Sequence, residues 1–312
     1  MKELTGAHMA RKFPEIAVIG FIALFIVAAV PVGPVIGVES AAPIPDFAGS
    51  WARTTFGMEL PASGPGPVRN LSRRADGTAD PQKIVGDYAN PILKPEAAEA
   101  VKRRSEISRS GANYPTPSNQ CWPMVAPYIF RVQGMQMLQE KGHIMILYMQ
   151  DHQFRRVRLN QPHPARVTPT WHGDSVGHYE GDTLVIDTVG VKVGPVPILD
   201  MYGTPYSEAL HVVERYRSID YETAREAQER NEREYGHPAT EQAASIDVNY
   251  KGKGLQVQFT VEDKNVFTMP WSGSATYRRA GGEWVENVCA ENTREYYAGK
   301  DTAVPQSDKP DF

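Results

Sequence analysis

The side chains with the most chemical potential in this sequence are one carboxylate and two histidines on strand-like segments. Asp187 lies in the middle of an apolar run, where an unpaired carboxylate is costly, so Ser175, Thr188 or an arginine must pair with it. Histidine changes charge near neutral pH, so His211 or His178 could act as an acid or base that Asp187 orients. These three residues are the catalytic candidates. The alternatives are that Asp187 organises hydrogen bonds structurally and that His211 is a core histidine with satisfied nitrogens.

The segment 171–188, WHGDSVGHYEGDTLVIDT, is typical of a β-hairpin. Its glycine-centred triplet, 180–182, predicts a three-residue turn flanked by Tyr179 and Thr183. Counting outward from that turn divides the side chains between two faces. One face carries Ser175, Gly177, Tyr179, Thr183, Val185 and Asp187. The other, more apolar face carries Asp174, Val176, His178, Leu184, Ile186 and Thr188.

Binding of an apolar or aromatic small molecule is the preferred function, because a barrel of about eight strands leaves room for one such ligand. The cavity is expected to be lined by strand residues such as Val176, Leu184, Ile186 and His178. The candidate ligand-binding residues are Trp171, Ser175, Tyr179, Trp271 and Glu208. The alternative for Trp271 is that it caps the barrel.

No metal site and no cofactor are predicted. His172, Asp174 and His178 have the same strand parity, and imidazole with carboxylate is a possible ligand set. However, His172 and His178 would lie about 20 Å apart on an extended strand that rises roughly 3.3 Å per residue. The sequence also contains no phosphate loop, dinucleotide fingerprint, nucleophile elbow or HExxH motif.

Short runs rich in β-branched and aromatic residues follow one another from residue 128 onward. They predict a mainly β fold, an antiparallel β-barrel or meander with a few peripheral helices. The predicted strand runs, in addition to the hairpin's first strand, are IFRVQ, HIMILYM, FRRVRL, TLVIDTVGV, ALHVVERYRSI, ASIDVNY, GLQVQFTVED and ATYRR.

The chain is expected to divide into an irregular part, a barrel-like domain and a tail. Residues 43–127 are rich in Pro, Gly, Ser and charge, and a first-turn proline predicts one helix near 94–105. The barrel-like domain is expected over 128–298. Inside it, the polar segment 222–235 predicts a solvent-exposed helix inserted between strands. Residues 299–312 are expected to form a flexible tail.

The N-terminal residues predict export. A cationic start precedes an unbroken apolar run over 16–30, which small residues follow up to residue 42, and this is the layout of a secretory signal. The apolar stretch 16–38 is also long enough to anchor the chain in the inner membrane. Residues 1–42 are therefore predicted to be a signal peptide or a membrane anchor. In either case the remainder is expected to be periplasmic or secreted.

Cys121 and Cys289 are the only cysteines, and in an oxidising compartment they predict one long-range disulfide. Lys and Arg number 33 against 37 Asp and Glu, which gives a formal net charge of -4. Proteins that bind nucleic acids normally carry a clustered basic surface, so nucleic acid is not an expected partner. The expected partners are a small apolar or aromatic molecule and, if the N-terminal segment is uncleaved, a membrane.

A set of motifs carries a family resemblance. The motifs are DFAGSW at 46–51, Trp171 with Gly173, SVG at 175–177, EGDTLVIDT at 180–188, SEALHVVER at 207–215, Glu262-Asp263, Pro270-Trp271 and CAEN at 289–292. Over residues 45–295 the chain resembles a large family of exported bacterial proteins of unknown function. That resemblance implies export and a common fold, without naming a reaction.

The stretch FAGSW at 47–51 also resembles the Gly-x-Trp opening of lipocalin-type barrels, in which the tryptophan closes one end. This resemblance implies a lipocalin-like or calycin-like barrel. The chain departs from the exported family's pattern at Asp174 and Ala290, where histidine is usual. If those histidines carry chemistry in the family, this chain lacks it or uses His172 and His178.

Two other functions stay open beside ligand binding. One is a cofactor-independent lyase, isomerase or hydrolase that uses His211 or His178 as acid or base and Asp187 to orient it. The other is a structural, envelope-associated protein. Convergence of these three side chains around a cavity would favour the enzyme, whereas an apolar cavity without convergent polar groups would favour binding alone.

Overall fold

A computed structural model describes residues 44–112, 114–131, 134–235, 245–282 and 289 of the chain. It divides the chain into two compact units, 1–41 and 42–312, and the description below concerns the second. The predicted signal or anchor at 1–42 and the predicted tail at 299–312 lie outside the described residues.

The described residues form a closed barrel of nine strands with two α-helices, which confirms the predicted fold class. The strands are β1 Gly49–Ala52, β2 Met135–Glu140, β3 His143–Tyr148, β4 Phe154–Leu159, β5 Asp174–Glu180, β6 Thr183–Val189, β7 His211–Ile219, β8 Gly254–Glu262 and β9 Trp271–Arg279. Each strand pairs with its neighbours in chain order, and β1 closes the barrel by pairing with β2 and β9.

The barrel is mixed, because β4 and β5 are parallel whereas the other neighbouring strands are antiparallel. Parallel neighbours need a crossover connection, and residues 160–173 supply it. Only Val157, Arg158 and Leu159 of β4 pair with β5. The first half of β4 therefore has no strand partner on that side among the described residues.

Two predicted strands and one domain boundary differ from the structure. Tyr128–Phe130 is a turn of 3-10 helix and Arg131 is a bend, whereas residues 132–133 of the predicted strand lie outside the described residues. In the described part of 244–250, only Ile246 makes a bridge, to Ala280. The barrel also begins earlier than residue 128, since β1 lies in the segment that was expected to be irregular. β1 has only four residues, too few to show a clear alternation in the sequence.

The hairpin register differs from the prediction by one residue. Glu180 pairs with Thr183 across a two-residue turn, and Gly181 takes the positive φ of +60° that such a turn needs at its first position. His178 therefore lies opposite Val185, not Leu184. Because side chains alternate, this shift regroups the two faces. The buried inward side chains are Ser175, Leu184, Ile186 and Thr188, and the less buried outward positions include Asp174, Val176, His178 and Asp187.

Both predicted helices are present. α1 spans Pro95–Arg109 with proline in its first turn. α2 spans Tyr221–Tyr235, and its exposed side carries ion pairs of Arg225 with Glu222 and Glu229. A stripe of Ala224, Ala227 and Asn231 is nevertheless buried against β8 and β9. The helix is thus not polar all round, because its small residues recur on one face.

The inward strand side chains pack into one apolar cluster, in which Leu184 and Ile186 are 0 % exposed. Trp51 of the Gly-x-Trp stretch belongs to this cluster, and the central guanidinium carbon of Arg279 lies 4.1 Å from the centroid of the Trp51 ring.

The predicted disulfide between Cys121 and Cys289 is formed, with the two Cα atoms 5.3 Å apart. Within the described residues, no helix combines the length and apolar character needed to cross a membrane.

Candidate functional site

Two of the three catalytic candidates meet on the outer face of the barrel. Asp187 on β6 and His211 at the start of the adjacent β7 approach each other, with His211 Nε2 3.0 Å from Asp187 Oδ1. The other ring nitrogen, Nδ1, lies 3.8 Å from Glu262 Oε2 on β8. His211 is 32 % exposed, so it is not the core histidine of the alternative interpretation. Asp187 therefore contacts one ring nitrogen of His211, and water can reach the His211 side chain.

A second imidazole, His163 in the crossover 160–173, extends this contact into a row. His163 Nε2 lies 3.2 Å from the same Asp187 oxygen, and His163 Nδ1 lies 2.6 Å from Asp174 Oδ1. Arg158 completes the row by donating two hydrogen bonds to Asp174, of 2.7 and 3.0 Å. We call Arg158, Asp174, His163, Asp187 and His211 the imidazole row. Both His163 contacts are hydrogen bonds at once only when both ring nitrogens carry a proton.

Contacts within the row raise the pKa of His211 and lower the pKa values of Asp187 and Asp174. The hydrogen bond with Asp187 raises the pKa of His211 above its ordinary value, although partial burial opposes the shift. The same bond lowers the pKa of Asp187. The Arg158 hydrogen bonds lower the pKa of Asp174. The carboxylates therefore stay ionised near neutral pH, while His211 can exchange a proton in that range.

A cleft of about 420 Å³ opens beside the Arg158 end of the row, where the first half of β4 has no partner on its β5 side within the described part of the chain. Its wall includes Phe154, which is 62 % exposed, and the half-buried ring of Trp171. Gly173 turns the chain into β5 with a φ of +70°, and a Cβ there would lie 2.6 Å from the Val189 carbonyl oxygen. Only glycine fits that turn, which keeps the crossover away from β4.

The floor of the cleft reaches a buried polar cluster inside the barrel. Arg155, which lines the cleft, donates two hydrogen bonds of 2.7 Å to Glu214, and the Tyr216 hydroxyl donates a third of 2.7 Å. Arg155 Nε is buried without a partner among the described residues. His172 also lines the cleft and stacks on the Tyr148 ring, with centroids 6.0 Å apart. Burial, helped by the Arg155 charge, lowers the pKa of His172 to about 4, so its imidazole is neutral at pH 7.

The other predicted site residues lie in several places. Trp171 and Ser175 line the cleft, and Ser175 is 2 % exposed and bonds to Thr188. Tyr179 accepts a hydrogen bond from Gln139. The remaining placements are His178 on the surface beside Glu180, Glu208 in a surface turn beside Asn265, and Trp271 buried against Phe259 and Phe267. The binding roles of Trp171, Ser175, Tyr179, Glu208 and Trp271 all stay predictions.

His178 does not join the imidazole row. Its ring nitrogen bonds to Glu180 at 3.0 Å, and its side chain is 52 % exposed. Val176 and His178 also face outward, and Leu184 and Ile186 are packed in the core. The four residues therefore do not line one internal cavity, as the shifted hairpin register explains.

Sequence reasoning missed three members of the site, Arg155, Arg158 and His163. The sequence did not indicate which strand pairs with the segment of Arg155 and Arg158. It also did not indicate where the loop that carries His163 lies. An alternation of arginines on β4 was the available signal, since it puts Arg155 inward and Arg158 outward. His163 had no periodic signal, because it lies in a loop.

A wider cleft of about 840 Å³ lies elsewhere, over the outer faces of β7, β8 and β9 beside α2. It is lined by several arginines, of which Arg215 pairs with Glu180 and Arg69 with Glu234. None of its lining residues belongs to the imidazole row.

Among the described residues, no group of three or more His, Cys, Asp or Glu side chains is arranged to hold a metal ion.

Comparisons of the chain with protein-family models, with curated proteins and with solved structures find no match. The resemblance to exported bacterial proteins therefore stays a prediction from the motifs.

Proposed function

We propose that this protein is exported and binds a small aromatic molecule in the cleft between β4 and β5. The observation that carries the proposal is the aromatic wall of this cleft, formed by Phe154 at 62 % exposure and by Trp171. Exposure of the phenylalanine ring to water is unfavourable, and an aromatic ligand that stacks on the ring would cover this surface. The cleft volume, about 420 Å³, lies within the usual range of small-molecule sites.

Polar groups at the cleft suit a ligand with a hydroxyl or carbonyl group. Neutral His172 can donate through one ring nitrogen and accept through the other. Arg156 lies on the wall with an exposed side chain and no ion pair among the described residues. Most of the other lining residues are polar or charged, and such groups fix the orientation of a ligand.

The proposed location differs from the interior of the barrel, which was expected from the sequence. Leu184 and Ile186 fill the interior, so the ligand would lie against the gap in the strand pairing rather than inside a hollow. Export is supported by the cationic and apolar N-terminal sequence and by the Cys121–Cys289 disulfide, which is typical of oxidising compartments.

Binding of 2-naphthol, followed by tryptophan fluorescence, tests this proposal. We expect Phe154→Ser to weaken binding by about tenfold, because one stacked aromatic contact is lost. Leu138→Ser is the matched control, since Leu138 is a 43 % exposed apolar residue on β2 outside the cleft. Equal affinity in the two variants would remove the cleft as the site. Native mass spectrometry of protein from its own host would then identify any co-purified molecule.

A second candidate function is acid–base catalysis by the imidazole row. It is favoured by the 3.0 Å contact of His211 Nε2 with Asp187 Oδ1, which fixes the ring and directs proton exchange to Nδ1. His163, 3.2 Å from the same oxygen, holds Asp187 from the other side. A half-buried imidazole with an ionised carboxylate behind it is the arrangement that general bases use.

Turnover of a panel of aryl esters and lactones tests the catalytic candidate. We expect His211→Gln to abolish turnover and Asp187→Asn to reduce it by about a hundredfold, within the usual range for acid–base residues. His178→Gln is the matched control, because His178 is an exposed histidine on the same outer face that contacts Glu180 instead. Turnover that survives in His211→Gln, or that falls equally in His178→Gln, would exclude the row as the catalyst.

A further inference from the structure

A second, more enclosed space lies outside the barrel, between α1, the chain on either side of it and the loop near residue 201. Its volume is about 270 Å³. Aromatic rings and two guanidinium groups dominate its wall. They include those of Phe56, Tyr114, Tyr128, Tyr202, Arg104 and Arg131. We call this space the arginine pocket. No residue of the imidazole row or of the β4–β5 cleft lines it.

Arg104 brings an uncompensated charge to this pocket. The residue is 9 % exposed and its Nη1 donates a hydrogen bond of 2.9 Å to the Pro115 carbonyl oxygen. Its Nε and Nη2 are buried and have no hydrogen-bond partner among the described residues. The central carbon of the guanidinium lies over the Tyr114 ring, 3.4 Å from the centroid. Buried N–H donors without acceptors are costly, so the free pair favours an acceptor that arrives from outside.

Arg131 adds a second guanidinium with the same property. Its Nε is buried without a partner among the described residues, and its Nη1 lies 3.3 Å from the Tyr128 hydroxyl oxygen. The guanidinium lies over the rings of Phe56 and Tyr128, at 4.8 and 5.0 Å from their centroids. Aromatic faces stabilise a cation but accept no hydrogen bond of full strength from Nε.

No described carboxylate neutralises this pair of cations at close range. Neither guanidinium makes an ion pair within 4.0 Å among the described residues. Asp200 acts on Arg104 from a greater distance, but its Oδ1 accepts the backbone N–H groups of Tyr202 and Thr204. Burial raises the pKa of Asp200, and its Oδ2 is buried without a hydrogen-bond partner among the described residues, so neither carboxylate oxygen bonds to Arg104.

We propose that the arginine pocket binds a small aromatic carboxylate, whose ring lies among Phe56 and the tyrosines and whose oxygens accept from Arg104 and Arg131. Guanidinium groups bind carboxylates through strong, charge-assisted hydrogen bonds. The small volume limits the ligand to one or two fused rings. This site is separate from the proposed β4–β5 site and takes a charged ligand, so either proposal can hold without the other.

Calorimetric titration of the full disulfide-bonded protein with 2-naphthoate and with its neutral amide, 2-naphthamide, tests the proposal. We expect naphthoate to bind at least about tenfold more tightly than the amide, because only the carboxylate carries a charge that the guanidiniums complement. Arg104→Met should remove this preference. Arg103→Met, at an exposed neighbouring position on α1, is the matched control and should keep it.

Thermal melts separate loss of the site from loss of the fold. Arg104→Met removes a buried charge that lacks an ion pair, so the ligand-free variant should melt near the native temperature but gain no stabilisation from naphthoate. If it fails to fold, Arg131→Met should show the same loss of charge preference. Equal affinity for naphthoate and naphthamide, or unchanged naphthoate binding in a folded Arg104→Met or Arg131→Met protein, would overturn the proposal. Naphthoate affinity that falls in Phe154→Ser but not in Arg104→Met would also overturn it and would favour the β4–β5 cleft.

Discussion

The buried pair inside the barrel and the imidazole row outside it use similar charged groups in opposite ways. Arg155 and Glu214 are 3 % and 0 % exposed, and Tyr216 occupies a further acceptor position on Glu214. In the row, Asp187 is 42 % exposed and shares one oxygen between two imidazoles. A proton can reach the row from water, whereas a change of charge inside the barrel would leave a buried ion without a partner. Burial therefore fixes the charges of one arrangement and leaves the other open to proton exchange with water.

Removing one member of the interior pair should have the largest effect. Glu214→Gln leaves Arg155 as an uncompensated buried charge, so we expect the free energy of unfolding to fall by about 3 to 5 kcal/mol. Urea denaturation measures it. Glu180→Gln is the matched control, because Glu180 pairs with Arg215 at 2.6 Å on the surface, with both side chains 47 % exposed. An equal loss in the two variants would contradict the contrast between interior and surface.

His172, beside the interior pair, should reduce stability in acid. Its pKa is lowered to about 4 in the folded protein, so the unfolded chain binds the proton first as the pH falls below about 6.5. We expect proton uptake by His172 alone to lower the free energy of unfolding by about 3 kcal/mol between pH 6.5 and 4. His172→Phe should flatten that part of the profile measured by urea denaturation. An unchanged acid slope would mean that His172 takes up its proton without unfolding.

His211, in the row, should act in the opposite direction and with a smaller effect. Its folded-state pKa is raised by Asp187, so its contribution is fully present below the unfolded pKa and is lost as the pH rises through the folded value. We expect Asp187→Asn to shift the His211 titration, followed by its NMR ring-proton signals, to lower pH. A titration that does not move would show that the contact with Asp187 is not maintained in solution.

The sequence predicted the β-barrel, both helices and the disulfide because each depends on a local pattern or on a single pair of residues. Most of the β-branched runs became strands, and Pro95 marked the start of α1. The hairpin turn was wrong by one residue, since Glu-Gly-Asp fits a two-residue turn as well as a three-residue one. That small difference moved the β5 side chains to the opposite face relative to those of β6, and it changed the expected lining of the cavity.

The candidate site was predicted only where its members lie on neighbouring strands. The contact of Asp187 with His211 followed from residues on strands that are consecutive in the chain, β6 and β7. His163 and Arg158 enter through the parallel pairing of β4 with β5, which no local pattern indicates. The arginine pocket was not predicted at all, because its walls come from loops and a helix far apart in the chain.

The closure of the barrel sets the order in which the chain can fold. β1 pairs with β9, with Trp51 opposite Arg279, so the first of the described strands to be synthesised waits for the last of them. Contacts between such distant residues form slowly, since a long loop must be closed before they can stabilise anything. Until the last strand is made, both edges of the growing sheet stay unpaired. Such unpaired edges can pair with another chain, and closure of the barrel removes them.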